Sequence, residues 1–279
     1  MWLIADSGST KTEWRLFDSN GIIDSKITKG LNPLFLSKSS FTDEVANQLP
    51  ELWFAKVTKL WFYSAGCGSE DINKQTEEWL ASVFTNAKIE VESDLIAAAR
   101  ATCGSKKGVF AILGTGSNSA YYDGATIIDH IKPLGYILGD EGSGVALGKA
   151  LLKKLLRNQF PADLSESIYK ELGLNYAEFI NNVYHSEWPN RFIASCTRVL
   201  HSHKNEPIIN SLINYEFEQF VMLLKSYPID ENSIIHFVGS VAHFFESNLK
   251  EVLENNGLIL GYVLQSPING LQEYHLGNN

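Results

Sequence analysis

The stretch Ile4-Ala-Asp-Ser-Gly-Ser-Thr-Lys-Thr12 follows a short apolar run and decides how the fold of this chain is interpreted. The apolar run predicts a buried strand over residues 1–6, and the Gly- and hydroxyl-rich residues after it predict a tight turn. Alternating residues predict a second strand over residues 13–17, and a third is expected over residues 21–28. The N-terminus is therefore predicted to be a three-stranded antiparallel meander.

The same pattern recurs near the middle of the chain. Residues 109–113 predict a strand, Gly114-Thr-Gly-Ser-Asn118 predicts a second Gly- and hydroxyl-rich turn, and strands are expected over residues 119–122 and 125–131. Ile22-Ile-Asp24 and Ile127-Ile-Asp129 occupy matching places in the two copies. The shared order of elements predicts two lobes that arose by duplication.

The rest of the chain predicts an α/β fold, because strands alternate with helices. Strands are expected over residues 59–64, 88–92, 234–238 and 258–264. Helices are expected over residues 143–157, 165–172, 176–184, 191–202 and 207–225, and from Ser240 to Asn256. We therefore predict an N-terminal lobe over residues 1–108, completed by a terminal helix at 266–279. The C-terminal lobe is predicted over residues 109–265 and carries the helical insertion.

Composition excludes several classes of function. The 279-residue chain has a formal net charge of −9 with scattered basic residues, which argues against a nucleic-acid surface. Its three cysteines lie far apart without a CxxC spacing, so neither a disulfide framework nor a structural zinc site is expected. No signal peptide or apolar run of membrane-spanning length is recognised. We therefore expect a cytoplasmic protein with neither nucleic-acid nor membrane partners.

The two Gly-rich turns are candidates for phosphate binding, because such turns expose several backbone N–H groups in one concave patch. The alternative is that each is an ordinary hairpin turn, but two of them in a repeated context favour phosphate binding. Walker A and GxGxxG motifs are absent. The candidate residues are Gly8, Ser9, Thr10 and Lys11 in the first turn, and Gly114, Thr115, Gly116, Ser117 and Asn118 in the second.

Three acids are candidates for further chemistry, each with a structural alternative. Asp6 ends the first strand and could hold Mg²⁺ through water, or could cap its own turn. Asp94 stands between a strand and an alanine-rich helix, where it could act as a base or simply cap the helix. Asp140, in Gly139-Asp-Glu-Gly-Ser143, could accept hydrogen bonds from a substrate or favour the start of the next helix.

Together these segments resemble the sugar-kinase branch of the actin-like ATPase superfamily, and specifically the N-acetylglucosamine kinase-like proteins of the BadF/BadG-type ATPase family. Residues 4–12 resemble the first phosphate motif and residues 113–118 the second. Phe237-Val-Gly-Ser-Val241 resembles the adenosine motif, and residues 135–143 resemble a stretch specific to this branch. The resemblance implies two ribonuclease H-like lobes with a cleft between them.

The resemblance also implies an activity and the residues that carry it. The chain is expected to use ATP and Mg²⁺ to phosphorylate a hydroxyl of N-acetylglucosamine or a related amino sugar, with Asp94 as the general base. Gly239 and Ser240 are expected to lie at the adenosine. Asn32, which could instead only form a turn before Pro33, and Asp140 are expected to bind sugar hydroxyls. A homodimer is plausible for the family.

Two alternatives from other functional classes remain open on the sequence. One is an activator ATPase of a radical dehydratase, whose paired cysteines would have to come from Cys67 or Cys103. The other is a non-catalytic sensor of nucleotide or sugar. The zinc-binding cysteine cluster of the bacterial repressor-kinase sugar family is missing, which disfavours that branch. Glucosamine and N-acetylmuramic acid are alternative substrates.

Overall fold

The computed structural model describes residues 1–8 and 10–277, and the chain divides into two compact units. Unit 1 combines Met1–Ser105 with Ser266–Asn279, and unit 2 is Lys106–Gln265. The boundary after Ser105 lies three residues before the one predicted after residue 108. Each unit is built on one five-stranded sheet.

The elements of unit 1 follow one another as strands and helices around its sheet. Its strands are β1 (Trp2–Ser7), β2 (Lys11–Asp18), β3 (Gly21–Lys29), β4 (Lys59–Ser64) and β5 (Lys88–Ser93). Its helices are α1 (Lys38–Gln48), α2 (Glu51–Lys56), α3 (Glu70–Ala81), α4 (Asp94–Cys103) and α14 (Ile268–Gly277).

Unit 2 has the same strand pattern with a longer helical segment inserted. Its strands are β6 (Gly108–Leu113), β7 (Ser117–Tyr122), β8 (Ile127–His130), β9 (Ile234–Val238) and β10 (Ile259–Leu264). Its helices are α5 (Gly135–Leu138), α6 (Gly144–Leu156), α7 (Ala162–Leu172), α8 (Tyr176–His185), α9 (Pro189–Ser195), α10 (Thr197–Ser202), α11 (Pro207–Leu224), α12 (Ser240–Phe244) and α13 (Glu246–Asn255).

The two sheets have the same topology. The strand order is β3-β2-β1-β4-β5 in unit 1, and β8-β7-β6-β9-β10 in unit 2. In each sheet the first three strands along the chain pair antiparallel. The fourth strand pairs parallel with the first, and the fifth pairs parallel with the fourth. The α/β fold with two similarly built lobes, predicted from the repeated strand–turn–strand pattern, is confirmed.

The central strands of unit 1 are buried on both faces, which explains their almost continuous apolar sequence. On one face Trp14 and Phe62 pack with Phe41 of α1. On the other face the strands pack against α4 and α14, so the C-terminal helix belongs to the core of unit 1. Its buried side chains include Ile268 and Leu271.

The core of unit 2 is formed by β6 and β9 packed against α6, α11 and α13. Two helices predicted as continuous are broken. The helix expected over residues 191–202 is split into α9 and α10 at the buried Cys196. The helix expected from Ser240 to Asn256 is interrupted at Phe245 (φ −111°, ψ 27°), whose ring is buried in the core.

The structure also gives findings on membrane-spanning helices and on the cysteines. Among the described residues, no helix is both long and apolar enough to cross a membrane. The cysteines Cys67, Cys103 and Cys196 are free thiols and all are buried. Burial raises the pKa of Cys67 and that of Cys196 to about 11, which keeps both thiols protonated near neutral pH.

A buried hydrogen-bonded chain joins α14 to the sheet of unit 1. The Arg100 guanidinium donates to the Tyr63 hydroxyl (2.9 Å), which lies 2.7 Å from Nε2 of His275. The tautomer of His275 sets the direction of this hydrogen bond, because the Tyr63 hydroxyl can both donate and accept. The His275 ring also stacks on Trp61 at 3.9 Å. Burial lowers the pKa of His275 to about 3, with smaller contributions from Arg100 and Lys59.

This arrangement predicts a specific loss of stability in acid. A His with a folded-state pKa near 3 and an unfolded value of 6.5 stabilises the fold above pH 6.5, and this contribution is lost as pH falls towards 3. At pH 5 the loss is about 2 kcal/mol relative to pH 8. His275→Phe keeps a ring on Trp61 but removes the titration. We expect it to be less stable than wild type at pH 8, with the difference shrinking or reversing at pH 5.

Urea unfolding at pH 8, 6.5 and 5 measures this difference. His185→Asn, at the exposed end of α8, is the control and should follow the wild-type pH dependence. A constant gap between wild type and His275→Phe across this range would contradict the assignment of a neutral, buried His275.

Candidate active site

The parallel strands of unit 1 end together at one edge of the sheet. Ser7 of β1 is in register with Ser64 of β4, which is in register with Ser93 of β5. Asp6 and Asp94 flank this row of serines. The carboxyl edge of a parallel sheet is where α/β proteins bind ligands, because loops and helix N-termini converge there. The structure therefore brings Asp6 and Asp94 to the same edge of the same sheet.

Asp6 lies in an acidic environment. It is directly opposite Glu13 in the β1–β2 pair, so both side chains lie on the same face. Burial, together with the charges of Asp94 and Glu13, raises the pKa of Asp6 to about 7, and Lys11 opposes this rise. A cation placed here would offset the repulsion between the three carboxylates.

The residues around Asp6 fit Mg²⁺ held through water better than a protein-ligated ion. Within residues 1–8 and 10–277, no cluster of three or more His, Cys, Asp or Glu side chains is arranged to hold a metal. Mg²⁺ usually keeps several waters and uses only one or two carboxylates together with substrate phosphates. The acidic edge at Asp6 meets that requirement.

Asp94 is the first residue of α4 but not its cap. The capping residue is Ser93, whose hydroxyl accepts a hydrogen bond from the Ile96 N–H at 3.3 Å. Ser93 therefore caps α4, and Asp94 is not the N-cap that the sequence had left as its alternative role. Burial raises the pKa of Asp94, and hydrogen bonds from the backbone of Leu95 and of Asp94 itself oppose this. The result is a carboxylate whose affinity for a proton exceeds that of an ordinary aspartate.

The first Gly-rich turn connects β1 to β2. The Gly8 N–H donates to the Lys11 carbonyl at 3.0 Å, and the Thr10 carbonyl accepts from the Gly30 N–H at 3.1 Å. Thr10 and Lys11 are exposed, so a ligand can reach them. Ser9, the remaining candidate in this turn, lies outside the described residues.

The second Gly-rich turn is held by its carbonyl groups. The Gly114 and Thr115 carbonyls accept from the Gly144 and Val145 N–H groups at the start of α6, at 2.8 and 3.1 Å. In a trans peptide the next N–H points opposite to the carbonyl. The N–H groups of Thr115 and Gly116 therefore point away from α6. This geometry gives the turn the outward-facing donors that an anion-binding site needs.

Asp140 lies against this second turn. Its Oδ1 is 3.5 Å from the Ser117 N–H, and a Cβ added to Gly116 would come 2.9 Å from its Oδ2. Asp140 adopts a positive φ of 60°, which directs the chain back towards the turn. Burial raises its pKa, while the Ser117 N–H and Lys149 lower it. Asp140, which is expected at the sugar, thus lies against the turn that is expected at the phosphates.

Gly239 ends β9 in a conformation that other residues avoid. Its φ is 122°, and an added Cβ would overlap the carbonyl of Leu113 at the end of β6. Its N–H donates to the Leu264 carbonyl at 2.8 Å. The absence of a side chain thus allows the ends of three parallel strands to meet. Ser240, the other candidate, begins α12, which leads to a cavity of about 460 Å³ lined by His201, His243 and Phe244.

Asn32 is fixed by the segments on either side of it. Its Oδ1 accepts from the Leu34 N–H at 2.9 Å, and its carbonyl accepts from the Phe35 N–H at 3.1 Å. A Cβ on Gly66 would overlap this Oδ1, so the loop after β4 packs directly on the Asn32 amide. Asn32 therefore forms a turn, as the alternative to a binding role had predicted. Asn32 shapes a turn while its Nδ2 remains available as a donor, since no acceptor for it occurs among the described residues.

Gly66 offers a prediction with a control in the same loop. Gly66→Ala places a methyl group on Asn32 Oδ1 and must displace either residue, whereas Gly68→Ala points into open space. If Asn32 binds substrate, we expect Gly66→Ala to raise the KM for that substrate about tenfold or more and Gly68→Ala to change it less than twofold. Steady-state kinetics of the two variants measures this. Equal KM values would exclude Asn32 as a binding residue.

Some residues of the site carried no clear sequence signal. Glu13, opposite Asp6, was only part of a predicted strand. Gly66 lies in Ala65-Gly-Cys-Gly68 directly after a buried strand, a context that could have identified it. A Cβ added to Gly144, next to the predicted 139–143 segment, would lie 3.1 Å from the Gly114 carbonyl oxygen, which is a tight contact.

Comparison with known proteins gives this site a context. No family model matches the chain. A curated N-acetylmuramic acid/N-acetylglucosamine kinase from Clostridium acetobutylicum is 27% identical over 212 residues, which cover 71% of this chain and 68% of that protein. A crystal structure of a proposed N-acetylglucosamine kinase from Porphyromonas gingivalis is 38% identical, with a TM-score of 0.93 over 100% of this chain and 99% of the other.

A second crystal structure, of a proposed N-acetylglucosamine kinase from Chromobacterium violaceum, is 17% identical with a TM-score of 0.71 over 98% of both chains. At this identity the match shows that the two chains share a fold. The two sheets of identical topology, with carboxylates and Gly-rich turns at their carboxyl edges, define an actin-like ATPase fold of the sugar-kinase class. The chain belongs to the family of N-acetylglucosamine kinase-like proteins, as the resemblance in its motifs predicted.

Proposed function

We propose that this chain transfers the γ-phosphoryl group of ATP to a hydroxyl of an amino sugar, with N-acetylglucosamine as the first candidate. The observation that carries the proposal is the setting of Asp94. Its carboxyl group has a raised pKa, is not needed to cap its helix, and shares a sheet edge with Asp6. The names of the relatives from P. gingivalis and C. acetobutylicum support the choice of sugar.

In the proposed reaction Asp94 acts as the general base. It would accept the proton of the sugar hydroxyl while the hydroxyl oxygen bonds to the γ-phosphorus and the bond to the β–γ bridging oxygen breaks, which releases ADP. A base with a raised pKa holds that proton better than an ordinary aspartate would. Asn32 would donate to a sugar oxygen through Nδ2.

The nucleotide would be bound mainly by backbone groups. The outward-facing N–H groups of Thr115 and Gly116, with Ser117 and Asn118 following, would contact phosphate oxygens, as would Ser9, Thr10 and Lys11. Gly8, whose own N–H donates to the Lys11 carbonyl, would let phosphate come close to the backbone because it has no side chain. Adenosine would lie near Gly239 and Ser240, because residues 237–241 resemble an adenosine motif in which glycine lets the nucleotide lie against the backbone. Mg²⁺ would be held at Asp6 through water and would neutralise phosphate charge when bound.

The proposal assigns Asp140 a second role. It would bind a sugar hydroxyl, and for phosphate to reach the second Gly-rich turn its carboxylate would have to leave the Ser117 N–H. Repulsion between two anions supports this exchange, because a carboxylate and a phosphate cannot share one donor without a cation between them.

An ADP-release assay across a panel of sugars tests the proposal. The panel comprises N-acetylglucosamine, glucosamine, N-acetylmuramic acid and glucose, with a reaction lacking sugar as control. We expect ADP release that depends on N-acetylglucosamine and exceeds the sugar-free rate at least a hundredfold. ADP release without any sugar would favour a plain ATPase. Nucleotide binding with no release for any sugar would favour a sensor.

The activator alternative fits this structure less well. The paired cysteines that an activator places between subunits would have to come from Cys67 or Cys103, whose residues are only 1% and 8% exposed. Burial raises the pKa of both thiols, whereas cluster ligands must be thiolates. Anaerobic purification gives the deciding result, since cluster absorbance would contradict the kinase proposal.

A further inference from the structure

Three hydroxyl side chains form a buried cluster beneath Asn32. Ser7 ends β1, Thr12 lies opposite it in β2, and Ser64 ends β4. All three residues are at most 1% exposed. Thr12 Oγ1 is 2.9 Å from Ser7 Oγ and 3.0 Å from the Lys29 carbonyl, so its proton can be donated to either. We call Ser7, Thr12 and Ser64 the hydroxyl cluster.

The hydroxyl cluster supplies the hydrogen bonds that a neighbouring strand would otherwise give to the backbone of Leu31. The Leu31 N–H donates to Ser7 Oγ at 2.9 Å and to Thr12 Oγ1 at 3.2 Å. The Leu31 carbonyl accepts from Ser64 Oγ at 3.3 Å. Both backbone polar groups of a fully buried residue are therefore satisfied by side chains. A buried peptide group without partners is costly, so the cluster determines where this peptide can lie.

The same cluster reaches both sides of the Asn32 amide. Leu31 precedes Asn32 in the chain, while Gly66 packs on Asn32 Oδ1 from the opposite side. The Gly66 N–H lies 3.4 Å from Ser64 Oγ, which also contacts the Leu31 carbonyl. One hydroxyl thus links the two segments that hold the Asn32 side chain.

We propose that the hydroxyl cluster is a positioning device that orients the Asn32 amide and thereby sets the affinity for the sugar. The inference rests on the proposed function, in which Asn32 binds a sugar oxygen. None of the three hydroxyls touches the sugar. Removal of one hydroxyl should loosen residues 31–34 and weaken sugar binding, while the chemistry at Asp94 stays in place. The expected signature is therefore a change in sugar KM with little change in kcat.

Thr12→Val and Ser64→Ala remove one hydroxyl each with little change in volume. We expect each to raise the sugar KM about tenfold, because one lost hydrogen bond to a buried peptide corresponds to about that factor. The KM for ATP should stay within about twofold, and kcat within about threefold. Thr12→Ser, which keeps the hydroxyl, should restore the sugar KM. Thr102→Val is the matched control, since its buried hydroxyl bonds the Ala98 carbonyl and not Leu31.

Hydrogen–deuterium exchange of peptides spanning residues 30–36 tests the positioning step without any activity. We expect faster exchange in Thr12→Val and Ser64→Ala, and wild-type exchange in Thr12→Ser and Thr102→Val. Unchanged exchange, or an unchanged sugar KM in folded variants, overturns the inference. The variants could exchange faster although the wild-type protein phosphorylates no sugar. That result would show that the cluster only stabilises the backbone of residues 30–36. It would refute the role in sugar affinity together with the proposed function.

Discussion

Asp94→Asn is expected to lower kcat for sugar phosphorylation by about 10²–10⁴-fold, the usual effect of removing a general base. Asparagine has nearly the same shape and keeps hydrogen-bonding capacity at the start of α4, but it cannot take up the hydroxyl proton. Because Ser93 and not Asp94 caps this helix, the variant should fold normally. ATP affinity should remain within about twofold of wild type.

Steady-state kinetics and calorimetric ATP titration of the same preparation measure both halves of this prediction. Asp71→Asn is the matched control, since Asp71 is also an acid in the first turn of a helix but is exposed on α3. It should leave turnover unchanged. An Asp94→Asn enzyme with more than about a tenth of wild-type kcat would remove Asp94 from the role of base.

Gly239→Ala is expected to destabilise unit 2 strongly and to weaken ATP binding. Its backbone conformation (φ 122°, ψ 160°) is one that only glycine adopts without strain, which by itself costs about 1–3 kcal/mol. The added Cβ would also overlap the Leu113 carbonyl, which belongs to a central strand and has little room to move. The ends of β6 and β9 would have to separate, and the second Gly-rich turn begins at one of them.

Gly173→Ala is the control that separates backbone strain from the overlap with the Leu113 carbonyl. Gly173 ends α7 with a positive φ of 67° but has no neighbour within 4 Å of an added Cβ. We expect it to cost about 1 kcal/mol and to leave nucleotide affinity unchanged. Gly239→Ala should cost more in urea unfolding and should weaken ATP binding at least about tenfold in calorimetry. Equal stability losses and unaltered ATP binding in both variants would show that the approach of Gly239 to Leu113 is unimportant.

Much of the fold could be predicted from local sequence. The strands at Lys59–Ser64 and Ile234–Val238 have the predicted bounds, because each is an apolar run closed by a hydroxyl- or Gly-rich turn. The recurrence of Ile-Ile-Asp and of the Gly-rich turn revealed two similar sheets. These signals are local, since turn chemistry and burial period act over a few residues.

Elements with weak patterns were missed. Helix α1, over Lys38–Gln48, is rich in hydroxyl and acidic residues and buries only Phe41 and Val45. Its short apolar stripe is too weak to predict a helix, which forms because Phe41 packs against Phe62 and Trp79. The break at Phe245 likewise depends on core packing, and no residue near it is a helix breaker such as proline.

The candidate site likewise has features that the sequence predicted and features that only the structure shows. The chain order of its motifs already predicted phosphate turns, an acid at the end of β1 and an acid at the start of α4. Three facts depend on groups distant in sequence. Asp140 lies on the Ser117 N–H, Gly66 packs on Asn32, and the hydroxyl cluster holds Leu31. The cap of α4 by Ser93 is a local contact, but only the side-chain geometry distinguishes Ser93 from Asp94 as the capping residue.

Sequence alone fixed the class of fold, the repeated sheets and the types of residue that could contact phosphate or accept a proton, because these follow from short-range patterns. Only the folded chain decided that Ser93 and not Asp94 caps α4, and which side chain faces which peptide. The second of these outcomes depends on distances between strand ends separated by tens of residues. Burial and charge at the meeting points then set the proton affinities of Asp6, Asp94 and Asp140.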